Sequence, residues 1–177
     1  MSGARLAASG PAGVARRGRA LLGWVVAVSA CSPITTRPDF KPFPQALTAV
    51  LTAPPARVVP VVDSLVEALG VRVRRASAVD GYLETDWYDT EAKQSFGDPQ
   101  HVPNLQRTVK LRCWADPYVP GETTFTVEVT YRPRVDPSRV ERDLEVVPPD
   151  STPGRELARQ LLDEVKKRIG TPAATTP

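Results

Sequence analysis

Two hydrophobic periods divide this chain, and their order restricts the fold more than any other feature. Val58, Val62, Leu65, Val66 and Leu69 recur at helical spacing, with Asp63 and Glu67 off that face. Pro54 and Pro55 suit a first helical turn, where a missing N–H costs nothing, and Gly70 suits the stop. Period two then takes over. Val71 and Val73 alternate with Arg72 and Arg74. After an Asp80-Gly81 turn signal, Leu83, Thr85 and Trp87 alternate with Tyr82, Glu84, Asp86 and Tyr88. Val109, Leu111, Cys113 and Ala115 alternate with Lys110, Arg112, Trp114 and Asp116. Phe125, Val127, Val129 and Tyr131 do so with Thr124, Thr126, Glu128 and Thr130, and the intervening Pro117 to Glu122 reads as a hairpin connection. A further strand is expected over Val140 to Val147, where Val140, Leu144 and Val146 share a face. Helical spacing returns in Leu157, Leu161, Val165 and Ile169, with Thr152 as N-cap, Pro153 at N1, cations in the last turn and Gly170 as the stop.

Helix, about five strands, helix predicts an α+β domain over residues 54–170. Its expected form is a two-layer sandwich, an antiparallel sheet with both helices on one face and the other face polar and wet. Residues 171–177 read as a disordered tail.

The chain carries 23 basic and 20 acidic side chains, but Arg5, Arg16, Arg17 and Arg19 stand among the first 30 residues without an acidic partner. Without that segment the balance is 23 − 4 = 19 against 20, so net charge gives no support to nucleic-acid binding. The same segment has the layout of an export signal. A basic stretch ends at Arg19, an apolar run covers Ala20 to Val28, and Ser29-Ala30-Cys31 closes it. The run is far short of the roughly 20 apolar residues that span a bilayer.

Val28-Ser29-Ala30-Cys31 resembles the lipobox of bacterial lipoproteins. The resemblance implies that residues 1–30 are a signal peptide, that cleavage precedes Cys31, and that its thiol carries lipid. Ser32, where some lineages place an inner-membrane aspartate, implies the periplasmic face of an outer membrane. Residues 31–53, rich in proline, then read as a semi-rigid tether. Phe40 and Phe43 stand out within it, and docking on the domain or on a partner is preferred over simple exposure. With Cys31 lipidated, Cys113 has no disulfide partner in the chain.

Gly81-Tyr82-Leu83-Glu84-Thr85-Asp86-Trp87, behind a helix and a charged strand, resembles the repeated domain of BamC-type lipoproteins. The family implies a helix-grip fold and service to outer-membrane β-barrel assembly. This chain departs from it in having one such domain and a shorter tether. Leu83 and Trp87 would pack beneath a helix.

Residues suited to catalysis are sparse. His101, the one histidine, lies in a loop by composition and reads as solvated. A Cys113–His101 nucleophile pair is chemically conceivable, but Cys113 sits mid-strand with no electropositive setting. Glu84, Asp86, Asp89 and Glu91 could pair as acid and base, and read instead as an exposed acidic sheet face. Arg132, Arg134, Arg139 and Arg142 form a cluster largely neutralised by nearby acids. No cofactor, catalytic or metal motif is present. The expectation is a non-enzymatic, lipid-anchored envelope scaffold or accessory subunit with a protein partner. Tyr82, Trp114 and Arg112 are its candidate partner-binding residues, with Trp114 half exposed. The alternative is a lipid-anchored domain that binds a small ligand between its layers.

Overall fold

The sheet begins earlier than the periodicity suggests. In the computed structural model, which describes residues 35–97 and 104–172, Leu47–Leu51 forms strand β1 and pairs antiparallel with β7 (Thr123–Tyr131). The expected tether is therefore partly sheet. Leu47, Ala49 and Leu51 do alternate with polar or outward residues, but five residues between Pro44 and Pro54 are a weak signal alone.

The protein is α+β, with an open antiparallel sheet of seven strands and three helices among the described residues. Its centre is a long hairpin, β6 (Thr108–Pro117) with β7, paired from Val109↔Tyr131 to Pro117↔Thr123. Beyond β6 lie β3 (Tyr82–Thr85) and the edge strand β2 (Val73–Ser77). Strand β4 (Trp87–Asp89) continues alongside β6, and β5 (Gln94–Phe96) pairs with it. Five strands were expected; the short β1 and β5 account for much of the difference.

Helix α1 (Pro55–Ala68) and helix α3 (Pro153–Ile169) sit where the helical periods place them. Thr152 Oγ1 accepts the Arg155 N–H as the N-cap of α3, and Lys166, Lys167 and Arg168 occupy its last turn. Val58, Val62, Leu65 and Val66 of α1 and Leu157, Leu161 and Val165 of α3 share one core with Leu83, Leu111, Cys113, Phe125, Val127 and Val129. Each fully buried large aliphatic side chain there stabilises the fold by about 1.5–3 kcal/mol.

Two local expectations fail for identifiable reasons. Over 140–147 the chain makes a single helical turn, α2 (Glu141–Leu144), and only one bridge, Tyr131 to Val146. Val140 and Val146 are exposed, so no apolar face exists there to hold a strand. The second failure is a bulge. Glu84 faces Arg112 and Tyr88 faces Val109, so four steps on one strand match three on the other. The extra residue flips every side chain after it. Tyr88 joins the helix-side core, while Trp87, expected beneath a helix, turns to the opposite face. Thr85 stitches the bulge: its hydroxyl donates to Asp86 O (2.8 Å) and accepts from Leu111 N (3.0 Å).

Gly81 lets β3 start so close to β6. Its φ is +60°, and an added Cβ would lie 2.3 Å from the carbonyl oxygen of Ala115. Gly121 has φ +86° with open space around it. Gly121→Ala should thus cost only the left-handed strain, about 1–2 kcal/mol. Gly81→Ala should cost about 3 kcal/mol or more, because a backbone clash is added. Urea unfolding of the two variants side by side measures the difference.

Candidate functional site

The second face of the sheet is not wet. Alternation turns Tyr82 and Glu84 on β3, Lys110, Arg112 and Trp114 on β6, and Thr126, Glu128 and Thr130 on β7 away from the helices, and all of these are buried, while Asp116 and Thr124 at the end of the hairpin are half-buried. The three expected partner-binding residues do come together here. Tyr82 and Trp114 are cross-strand neighbours in an edge-to-face pair, ring centroids 5.5 Å apart. The Tyr82 hydroxyl donates to Glu84 (2.8 Å), which also receives Arg112 Nε (3.3 Å). Their exposure is the correction: Tyr82, Trp114 and Arg112 are 0 %, 1 % and 4 % exposed. Trp114 is not half exposed, because this face has its own cover.

At its centre, Arg112 meets three carboxylates. Glu145, just after α2, takes it in a two-pronged grip, Nη1 to Oε2 at 2.5 Å and Nη2 to Oε1 at 2.7 Å. Glu84 and Glu128 complete the cage, the latter at 3.4 Å. Arg142 then reaches in from α2 and clamps Glu128 with Nη1 at 2.5 Å and Nη2 at 2.9 Å. Lys110, also buried, pairs with Glu141 and lies 3.8 Å from Glu84. The Thr130 hydroxyl donates to Glu145 (3.3 Å). Guanidinium groups suit such a layer because their planar forks match carboxylates with two bonds each.

Burial alone would raise the Glu84 and Glu145 carboxyls. The Arg112 and Lys110 charges oppose it, with the Tyr82 hydroxyl acting on Glu84 and Arg142 on Glu145, and hold both below the usual carboxylate range. Burial, with the Arg112 charge beside it, lowers the Lys110 ammonium, although Glu141 and Glu84 resist. For Arg112 burial works against the charge, and the Glu145 and Glu84 carboxylates more than reverse it, so its pKa rises.

The cover comes from both sides of the chain. Residues 35–46, read from sequence as tether, lie across the face as a strap. Thr36 donates its backbone N–H and hydroxyl to Asp80 (both 2.8 Å), and Arg37 pairs with Asp116 (2.7 Å). Phe40 and Phe43 dock, as preferred, and what they dock on is charge. The Arg142 guanidinium carbon is 4.3 Å from the Phe40 ring centre and 3.9 Å from that of Phe43. The Phe43 N–H donates to Glu128 (2.6 Å), Arg142 donates to Lys41 O (3.1 Å), and Arg155 of α3 donates to Gln45 O (2.7 Å).

The remaining residues singled out from sequence scatter. The acidic run on and after β3 is not one cluster, and only Glu91 of the four is exposed, where it pairs with Arg107 (2.7 Å). Asp86 pairs with Arg72. Asp89 accepts Glu91 N and Ala92 N (both 2.9 Å) and Arg107 Nε (2.7 Å), the local role of a turn cap. Trp87 lies between Lys110 and Arg132, each 4.6 Å from a ring centre, and its indole nitrogen has no hydrogen-bond partner among the described residues. Cys113 is a free thiol within the core, where burial pushes its pKa up. Cys31 and His101 lie outside the described residues. Among the described residues no group of three or more His, Cys, Asp or Glu could hold a metal ion.

A scan against protein-family models found no match, and neither did a search of curated proteins.

Arg112→Met removes the one cation shared by three buried carboxylates, and at neutral pH should cost about 3–5 kcal/mol. Its pH dependence carries a sign. In the native protein Glu84 and Glu145 titrate below their unfolded values, so their stabilisation is complete above the unfolded pKa and disappears as pH falls through the folded one. Without Arg112 both carboxyls lose their strongest opposing charge and titrate higher than in the native protein, so acid penalises the variant less. The gap between the two proteins should be widest near neutrality and narrow towards pH about 4. Urea midpoints across that range test it.

Proposed function

We propose that this chain is a bacterial lipoprotein, cut before Cys31 and held on the periplasmic face of the outer membrane by lipid on that cysteine. Its role is that of a non-enzymatic scaffold or accessory subunit of an envelope assembly complex, with outer-membrane β-barrel assembly as the favoured setting. One observation carries the reading: Val28-Ser29-Ala30-Cys31 stands directly behind a basic and then an apolar stretch. No described helix is long and apolar enough to cross a membrane, so attachment by a lipid on the thiol supplies what the described chain does not. The packing of α1 and α3 on one sheet face agrees with a helix-grip, two-layer layout of the BamC type.

Tyr82, Trp114 and Arg112 keep their place in this proposal in changed form. A partner reaches them only by displacing the strap, as a competing segment would; otherwise it reads the strap's outer surface. Trp114→Phe, which keeps a ring at this buried position, weakens recovery of the partner from envelopes in the first case and leaves it unchanged in the second, with the urea midpoint reporting that the fold is intact.

A second reading, a lipid-anchored domain for a small ligand, is favoured by one cleft. It holds about 450 Å³ between Phe43, Gln45 and the 145–150 segment, and Arg155 lies against it. The Nη1 of that buried arginine has no hydrogen-bond partner among the described residues, which suits a small carboxylate more than an apolar ligand.

Cys31→Ala should accumulate as the uncleaved, lipid-free precursor, while the native protein begins at a cysteine bearing acyl chains. Intact-mass measurement of both, from cells and from detergent-extracted envelopes, decides the matter. A native protein that retains Met1, or an unmodified Cys31, would refute the anchor.

A further inference from the structure

At one end of the sheet two turns and the strap converge. The β2–β3 turn adjoins the β6–β7 connection, because Ala115 N donates to Gly81 O (2.8 Å). Both are fastened to the strap, through Thr36 on Asp80 and Arg37 on Asp116. These two turns also expose large apolar side chains. Val79 is 97 % exposed, Tyr118 62 % and Val119 46 %. Between Val79 and Pro117 runs an open groove of about 430 Å³, lined also by Pro54, Pro55 and Ala56 at the start of α1 and by Arg37 and Asp80. Single exposed apolar residues need no explanation, but three on adjoining turns beside a carbon-lined groove mark a contact surface.

The length of chain upstream says what it contacts. Thr36, pinned to this end, is 36 − 31 = 5 residues from Cys31. Fully stretched, that segment reaches at most about 18 Å. We propose that this tip docks on the lipid bilayer, with Val79 and Val119 at the acyl boundary and Tyr118 at headgroup level. The domain then stands on the membrane in one orientation instead of swinging from a tether. The inference rests on the anchor reading above.

The chemistry suits a membrane interface. Tyrosine, with an apolar body and a polar end, favours that depth. Arg37 and Asp116 neutralise one another, while Asp80 keeps its charge under two hydrogen bonds from Thr36, so the attraction is apolar and added salt does not weaken it. Strand β6, 10 residues long, runs from the tip at Pro117 to Thr108, a distance of about 30 Å. Val109, next to that far end, packs against Gly154 in the first turn of α3, so Ser151 stands well away from the bilayer.

The test uses the full-length protein in vesicles of phosphatidylethanolamine and phosphatidylglycerol. Val79→Cys, Val119→Cys and Ser151→Cys are each labelled with a polarity-sensitive fluorophore, and lipid-borne nitroxides serve as quenchers. Intact mass reports the state of Cys31 in each sample. The expected result is quenching at Val79→Cys and Val119→Cys at least about threefold stronger than at Ser151→Cys, and not weakened in high salt. Equally weak quenching at all three positions, with lipid present on Cys31, overturns the docking and leaves the anchor standing. Strong quenching at the tip with an unmodified Cys31 supports the surface and refutes the anchor. Weak quenching with an unmodified Cys31 overturns both.

Discussion

Arg112 lies near the middle of the central strand and is shut away from water, so its charge has to be matched where it stands. Removing a guanidinium from water costs several kcal/mol unless carboxylates close around it with good geometry. No single neighbouring strand provides enough. Glu84 comes from β3, Glu128 from β7, and Glu145 from beyond the last strand. Two of these carboxylates then exceed what Arg112 alone can satisfy, which recruits Arg142, and the ring faces of the half-buried Phe40 and Phe43 cover Arg142. A single buried charge thereby ties together β3, β6, β7, α2 and the strap. The arrangement is a poor source of net stability and a good source of uniqueness, since any other register leaves a charge unpaired.

A strap held by such a network changes what the amino-terminal segment is. A flexible linker between lipid and domain would allow the domain to sweep a wide volume. Here the chain is fixed to the folded body from Thr36 onward, by Asp80 at one end and by Glu128 and Arg155 further along. On the proposed reading the lipid sits within a few residues of a rigid attachment point. Orientation at the membrane is then a property of the fold, and a partner in an envelope complex meets the domain at a defined height. A partner that competes with the strap would meet instead a ready-made layer of charged and aromatic side chains.

The helices and the central hairpin were legible because their signals are local. Apolar residues at Val58, Val62 and Leu65, a Thr152–Pro153 start, and strict alternation across Val109 to Tyr131 require no knowledge of distant residues. The bulge was not legible. Thr85 and Asp86 look like any alternating pair until β6 is laid beside them one residue out of step. The burial of the polar face is hidden in the sequence for the same reason. Lys110, Arg112 and Glu128 have the composition of a solvated face, and only their pairing across strands shows otherwise. The available clue was aromatic. Tyr82 and Trp114 share that face, and two large rings on a surface assigned to water should have suggested a cover. Phe40 and Phe43 in a proline-rich stretch were the other half of that clue.

Cover of the second sheet face requires the strap to be part of the folded body. Amide hydrogen exchange of the full-length protein resolves this residue by residue. The Thr36 and Phe43 amides, which donate to Asp80 and Glu128, should exchange orders of magnitude more slowly than in a free peptide and approach the protection of β7. Exchange of both at free-peptide rates, with β6 and β7 fully protected, would mean that a loose tether precedes the domain and that the second face of the sheet lies open.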